Sequence, residues 1–309
     1  MSLPNKLKYF RKERFKRILL STLLIVGIQA GIIKSQSSDD NIGKFQVAFS
    51  TNVFKGVYLN DAIAVAKILT QQLLKEYDEE YEVLSPATFN NVQELDELLE
   101  KQEVEVFVMH STELIQAKNR EMLEPIGSAS REGIPYEIYY LLVNNESQYK
   151  TLEDLKGKTL LVGFPYEGDI PLIWLNKLLK QYKLNTREKF FKKIEYFDKA
   201  LPSVLPVFFN NADACLVSKN SFETICELNP QVQNKLTVIE TSIPITIGLV
   251  ALRKNISNLE SKSHIIDAFL NLHNKVAAQQ FLSVFKIEKV LEFKEEYLKS
   301  TYEILGLKN

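Results

Sequence analysis

Cysteine and histidine are scarce in this chain of 309 residues: Cys215, Cys226, His110, His264 and His273 are all it holds. No two of them fall at the ligand spacing of a metal site, so none is expected. The two cysteines lie eleven residues apart on a segment that reads as strand end and helix. Two buried free thiols are the favoured reading, with a disulfide left open by an oxidising compartment. Also missing are a G-x-S-x-G elbow, a P-loop, a dinucleotide glycine pattern and an H-E-x-x-H pair. Without a nucleophile with its base, or a cofactor fingerprint, no enzyme and no cofactor are expected. Repeats and low-complexity stretches are absent too.

Charge of one sign is also unevenly supplied. Residues 1–34 carry eight Lys or Arg and one acid, Glu13, which leaves 30 basic against 38 acidic residues in the rest, a net of −8. An acidic body excludes a nucleic-acid surface. The apolar and charged fractions, 45% and 25%, are those of an ordinary globular protein, and the length suits about two domains.

What is present begins with Lys6, Lys8, Arg11, Lys12, Arg14, Lys16 and Arg17, followed by a mostly apolar run from Ile18 to Ile33. A basic flank before an apolar stretch is the layout of an export signal. Sixteen helical residues span about 24 Å, somewhat short of a hydrocarbon core of about 30 Å. A cleaved signal and a retained membrane anchor over 1–34 are equally open, with a polar linker at 35–43. Either way the body is expected on the extracytoplasmic side.

The body alternates strand and helix. Lys44–Ser50 reads as a strand, and Ala62, Ile63, Ala66, Leu69, Leu73 and Leu74 recur at helical spacing over 60–77. Tyr81–Leu84 and Val104–Met109 are further strands, separated by a helix over 91–101, and His110-Ser111-Thr112 opens a helix after the second. Pro135–Val143 and Ile245–Arg253 are long apolar strands suited to crossing between two lobes. Between them stand strands at 158–163, 193–197, 214–217 and 236–241 with helices starting near Asp169, Asp198 and Ser218. After Arg253 only helices are expected, at roughly 261–274, 276–285 and 291–305. Strands alternating with helices imply parallel α/β sheets.

Three phrases carry a resemblance: T-L-E-D-L-K-G-K-T-L-L-V-G at 151–163, F-F-N-N-A-D-A-C-L-V-S at 208–218, and S-I-P-I at 242–245 before a strand ending in Leu252-Arg253-Lys254. Over about residues 44–255 the chain resembles the phosphate/phosphonate branch of the periplasmic solute-binding proteins that serve ABC importers. The resemblance implies an α/β fold of type 2 periplasmic-binding-protein architecture. Each lobe would be a mainly parallel sheet flanked by helices, with lobe 1 at 44–135 and 246–309, lobe 2 at 136–245, and two hinge strands joining them. It further implies a monomer that closes on a small-molecule ligand and meets an ABC permease at the membrane. The alternative is a membrane-anchored sensory or accessory protein with an altered or lost ligand site.

Candidate ligand residues follow from the ends of strands and from the resemblance. Phe164–Asp169 follows the carboxyl end of a buried strand, where open α/β sheets place ligands. Where phosphonate binders carry a hydroxyl-rich turn, this chain has Tyr166, Glu167, Gly168 and Asp169. Two carboxylates there oppose a phosphonate, so simple phosphate is not the expected ligand. Asp169 reads equally as a helix N-cap with Pro171 in the first turn. His110, Ser111 and Thr112 sit where a strand meets a helix, and Ser50, Thr51 and Tyr58 flank the first strand-helix loop. Asp198 matches half of a His-Asp pair common in phosphonate binders and reads also as an N-cap. Ser218 and Ser242 complete the set from the position of their loops.

Overall fold

The computed structural model describes residues 43–54, 58–77, 81–163, 169–256 and 259–308, all within the unit Gly43–Asn309. The basic segment, the apolar run and the linker up to Ile42 lie outside them. Among the described residues no helix is long and apolar enough to cross a membrane.

In chain order the strands are β1 (Gly43–Phe45), β2 (Val47–Ser50), β3 (Tyr81–Val83), β4 (Ala87–Phe89), β5 (Val106–His110), β6 (Leu123–Ser130), β7 (Tyr136–Glu137), β8 (Tyr139–Asn144), β9 (Thr159–Gly163), β10 (Lys193–Phe197), β11 (Ala214–Ser218), β12 (Leu236–Thr241), β13 (Ile245–Thr246), β14 (Gly248–Arg253) and β15 (Lys289–Glu292). One sheet runs β15-β6-β14-β5-β2-β4 and the other β10-β9-β11-β8-β12. β2, β9 and β11 are buried almost throughout, as their aliphatic runs require in a sheet covered on both faces.

The two-lobed α/β architecture stands, but neither sheet is mainly parallel. In the first, β2 pairs in parallel with β4 and β5, while β14, β6 and β15 add antiparallel pairs. In the second, β9 is parallel to β10 and β11, and β8 runs antiparallel to both β11 and β12. Of the strands that enter and leave the lobes, β6, β8 and β14 lie inside the sheets and β12 at an edge. Nor is the end of the chain only helical: β15 extends the first sheet, and the helix expected from 291 is confined to Lys299–Leu305. Gly127 makes room for β15, since a Cβ there would lie 2.4 Å from Val290 Cγ1.

Both long crossing strands are broken, one at Ile138 and the other at Ile247. Between the two sheets, β7 and β13 form a short antiparallel ribbon pairing Glu137 with Ile245 and Tyr136 with Thr246. Each break turns a carbonyl to a helix start: Ile247 O accepts from Ser111 N at 2.8 Å, and Ile138 O accepts from Lys219 N at 2.7 Å. The first amides of a helix have no partner within it, so the hinge supplies one to each lobe.

The phrases that carry the family resemblance are explained by local structure. Asp154 Oδ2 accepts from the backbone of Lys150 and Thr151 at 2.8 and 2.9 Å, and Gly157 takes φ +72° in the turn before β9, a region that favours glycine. Asp213 accepts from Thr159 N at 2.8 Å and from Tyr149 OH at 2.9 Å, pinning the start of β9. Ser242 Oγ accepts from Tyr139 N at 2.8 Å, fixing one crossing against the other. Cys215 and Cys226 are buried free thiols on the other face of this sheet, and burial pushes the Cys215 thiol far up.

The carboxyl-terminal helix, Lys299–Leu305, straddles both lobes. Ile304 is buried in the core of the second lobe, while Leu298 and Tyr302 pack in that of the first. Lys177 Nζ pairs with Glu303 at 2.7 Å, and Thr301 Oγ1 donates to Ser111 Oγ at 2.9 Å. Burying a side chain such as Ile304 contributes about 1.5–3 kcal/mol, so the helix is a firm link between the lobes.

Candidate functional site

Between the two sheets lies a cavity of about 360 Å³. From the first lobe it is lined by Asn52, Asn90, Asn91, Val92, His110, Thr112, Glu113 and Gln116, and from the second by Asp169, Leu172, Ile173, Asn176 and Arg187. The first wall converges from the carboxyl ends of β2, β4 and β5. The second is one face of the helix Ile170–Gln181, where 169, 172, 173 and 176 follow the i, i+3, i+4, i+7 spacing, with Arg187 from the short helix Arg187–Phe190 beside it.

Glu113 organises the first wall. It is 6% exposed, and one carboxylate oxygen accepts from Ser50 Oγ at 2.6 Å and from Asn52 Nδ2 at 2.9 Å. The other accepts from His110 N at 2.8 Å. A buried carboxylate is tolerated when its lone pairs are filled in this way. The contacts tie β2, the turn after it and the start of the Ser111–Gln116 helix into one unit. Thr51 Oγ1 donates to Asn90 Oδ1 at 3.0 Å, and Gln116 Nε2 donates to Thr112 O at 3.0 Å. Asn91 caps the helix Val92–Lys101, accepting from Glu94 N at 3.0 Å.

Of the residues expected from sequence, His110, Thr112 and Asp169 line the cavity together. Ser50 and Thr51 stand behind it, holding Glu113 and Asn90. Asp169 occupies the N-cap position, but its side chain makes no cap bond, and Pro171 takes the first turn. Ser111 is turned away: its hydroxyl donates to Thr246 O and accepts from Thr301, which makes it a hinge residue. Tyr58 is 65% exposed, ahead of the helix Leu59–Glu76 and off the cavity.

Asp198 is exposed past the end of the edge strand β10, and the next helix begins at Leu201 after Ala200, so Asp198 is not its N-cap. Ser218 caps the helix Lys219–Leu228, accepting from Ser221 N at 3.3 Å, and Ser242 is spent on the crossing. Tyr166, Glu167 and Gly168 lie outside the described residues.

The lining residues that sequence reasoning missed are Asn52, Asn90, Asn91, Val92, Glu113, Gln116, Leu172, Ile173, Asn176 and Arg187. Glu113 carried a signal, standing three residues into a helix after a polar boundary residue, the place of the acid in a capping box. Asn176 carried one in its spacing from Asp169. Among the described residues no group of three or more His, Cys, Asp or Glu is placed to hold a metal ion.

Two α/β lobes on a double crossing, with a polar cavity lined from both, define the class of proteins that bind a small solute in a cleft. The chain matches, over residues 60–298, the family described as ABC transporter, phosphonate, periplasmic substrate-binding protein, and it belongs to that family. It is a transport-type substrate-binding protein. No curated protein sequence matches the chain. Solved structures share its fold. XAC2383 from Xanthomonas citri, bound to ATP, is 12% identical with a TM-score of 0.59, covering 85% of this chain and 95% of that one. A binding protein component of an ABC phosphonate transporter from Pseudomonas aeruginosa is 15% identical with a TM-score of 0.56, covering 85% and 86%. PhnD1 from Prochlorococcus marinus, in complex with methylphosphonate, is 16% identical with a TM-score of 0.55, covering 84% and 97%.

Proposed function

We propose that this chain captures a small organic solute carrying hydroxyl or amide groups in the interlobe cavity and delivers it to an ABC permease. The carrying observation is the cavity's lining. Five carboxamides, Asn52, Asn90, Asn91, Gln116 and Asn176, surround it against one guanidinium, Arg187, and two carboxylates, Glu113 and Asp169. Carboxamides both donate and accept, so they complement hydroxyls and amides. Inorganic phosphate is disfavoured beside Glu113 and Asp169, because like charges repel strongly where water is thinned out.

In this reading the solute is taken up by one wall and enclosed by hinge closure at β7 and β13. The protein works as a monomer on the extracytoplasmic face, exported or anchored by residues 18–33. A thermal-shift screen of the full chain tests this with phosphonates, phosphate, amines, nucleosides and vitamins. A solute at a hundred times its Kd adds about 2.7 kcal/mol, a shift of about 5–10 °C at this size. A shift with an uncharged or zwitterionic solute and none with phosphate supports the proposal. A shift with phosphate or methylphosphonate that high salt abolishes overturns the ligand class. No shift across the panel favours the sensory or accessory role.

A further inference from the structure

We infer that the first lobe holds a second ligand site, an apolar cavity that accepts a compact neutral molecule about the size of a single aromatic ring. This space, about 140 Å³, lies between the first sheet and the helices packed on it. Val108 and Val250 line it from the sheet, and Ala66, Leu69, Leu73 and Leu282 from the helices. Voids of this size are few in a close-packed domain. An apolar cavity of about 150 Å³ stays dry and takes up benzene or xenon. Water needs two to four polar partners to settle, which these aliphatic side chains do not supply.

Polar groups gather at one end, beside the exposed Ile134. Arg131 Nη1 pairs there with Glu137 at 2.7 Å, and Arg131 Nε donates to Lys286 O at 2.9 Å. The pair satisfies itself, so a charged guest would find no partner and would be disfavoured on losing its water. The same space touches Tyr136 and Glu137 on one crossing, Ile247 and Gly248 on the other, and His110, which also lines the solute cavity. The space therefore borders both hinge segments. The site is separate from the interlobe cavity, and the two stand or fall independently.

The test is a xenon-pressure titration of the full chain, read on methyl resonances, together with a benzene thermal shift. Methyls of Leu69, Leu73, Val108, Val250 and Leu282 are expected to move saturably, while those of Leu172 and Ile173 in the interlobe cavity stay still. Ala66→Leu, which fills the space from the helix side, should abolish both the xenon response and the benzene shift. Val108→Ile makes the same test from the sheet side if the first variant does not fold. Absence of a saturable response in the unaltered chain overturns the site. So does a response confined to Leu172 and Ile173, or one undiminished in a folded filling variant.

Discussion

The two walls of the interlobe cavity are built on different principles. The first is a network in which a buried carboxylate, Glu113, gathers Ser50, Asn52 and His110 from three segments. The second is a single helix face, Asp169 to Asn176, joined by Arg187 from a neighbouring turn. One wall is set in advance, which lowers the ordering cost of binding. The other belongs to a lobe that reaches the first through β7, β13 and the carboxyl-terminal helix. A pre-set wall facing a hinged one suits capture before enclosure.

Glu113→Ala is the most severe way to break the first wall. It leaves His110 N–H and the Asn52 amide without their acceptor, at about 1–3 kcal/mol for each buried donor. Glu113→Gln keeps one carbonyl acceptor and should lose about half as much in urea denaturation. Equal losses in the two variants would show that the network is not what holds this wall.

The sheet behind the second wall is closely packed at the end of β9. A Cβ on Gly163 would lie 2.3 Å from Ser203 Oγ and 2.9 Å from Ala200 Cα. Gly163→Ala should destabilise by about 1–3 kcal/mol through overpacking, again by urea denaturation. A neutral result would mean that the helix Leu201–Phe208 yields freely.

The link between the walls is tested by Thr301→Val, which removes the hydroxyl that bonds Ser111. A loss of about 1 kcal/mol is expected. The same variant should shift solute affinity if the helix restrains closure, and leave it unchanged if the helix only packs.

A smaller effect belongs to pH. Glu137, on the hinge, has its carboxyl raised above the ordinary glutamate range by burial, which Arg131 only partly offsets. The folded chain therefore holds this proton more tightly than the unfolded one. Below the ordinary range the group contributes no difference; as pH climbs through that range to the raised value, stability is lost. Relative to Glu137→Gln, the unaltered chain should weaken over that window in urea denaturation. Parallel curves for the two would place the hinge carboxylate in a wetter site.

Much of this was legible in the sequence, and for local reasons. Helix positions followed from spacings such as Ala62, Ala66, Leu69 and Leu73, and the crossings from their length and apolarity. The breaks at Ile138 and Ile247 were not legible, because the sequence stays apolar through them and only the helix starts that need a carbonyl explain them. β15 escaped because its pairing depends on the space left by Gly127, a residue 163 positions earlier.

In the cavity lining, His110 and Thr112 were legible where β5 runs directly into a helix, and Asp169 from its place at the start of another. Ser218 and Ser242 do not line the cavity; their hydroxyls satisfy nearby backbone groups, a role open to any serine at a boundary. Arg187 gave no signal, since a residue on a four-residue helix reaches the cavity only through the packing of the second lobe.

The central claim, that both walls grip one solute, is tested most directly by isothermal titration of the first panel solute that stabilises the full chain. Gln116→Ala alters the first wall and Arg187→Ala the second, each at an accessible side chain where folding is not at stake. Each variant is expected to weaken binding of that solute about tenfold, the effect of one polar contact of about 1.4 kcal/mol, with the unfolding midpoint unchanged. Binding as tight as that of the unaltered chain in both variants would contradict the account.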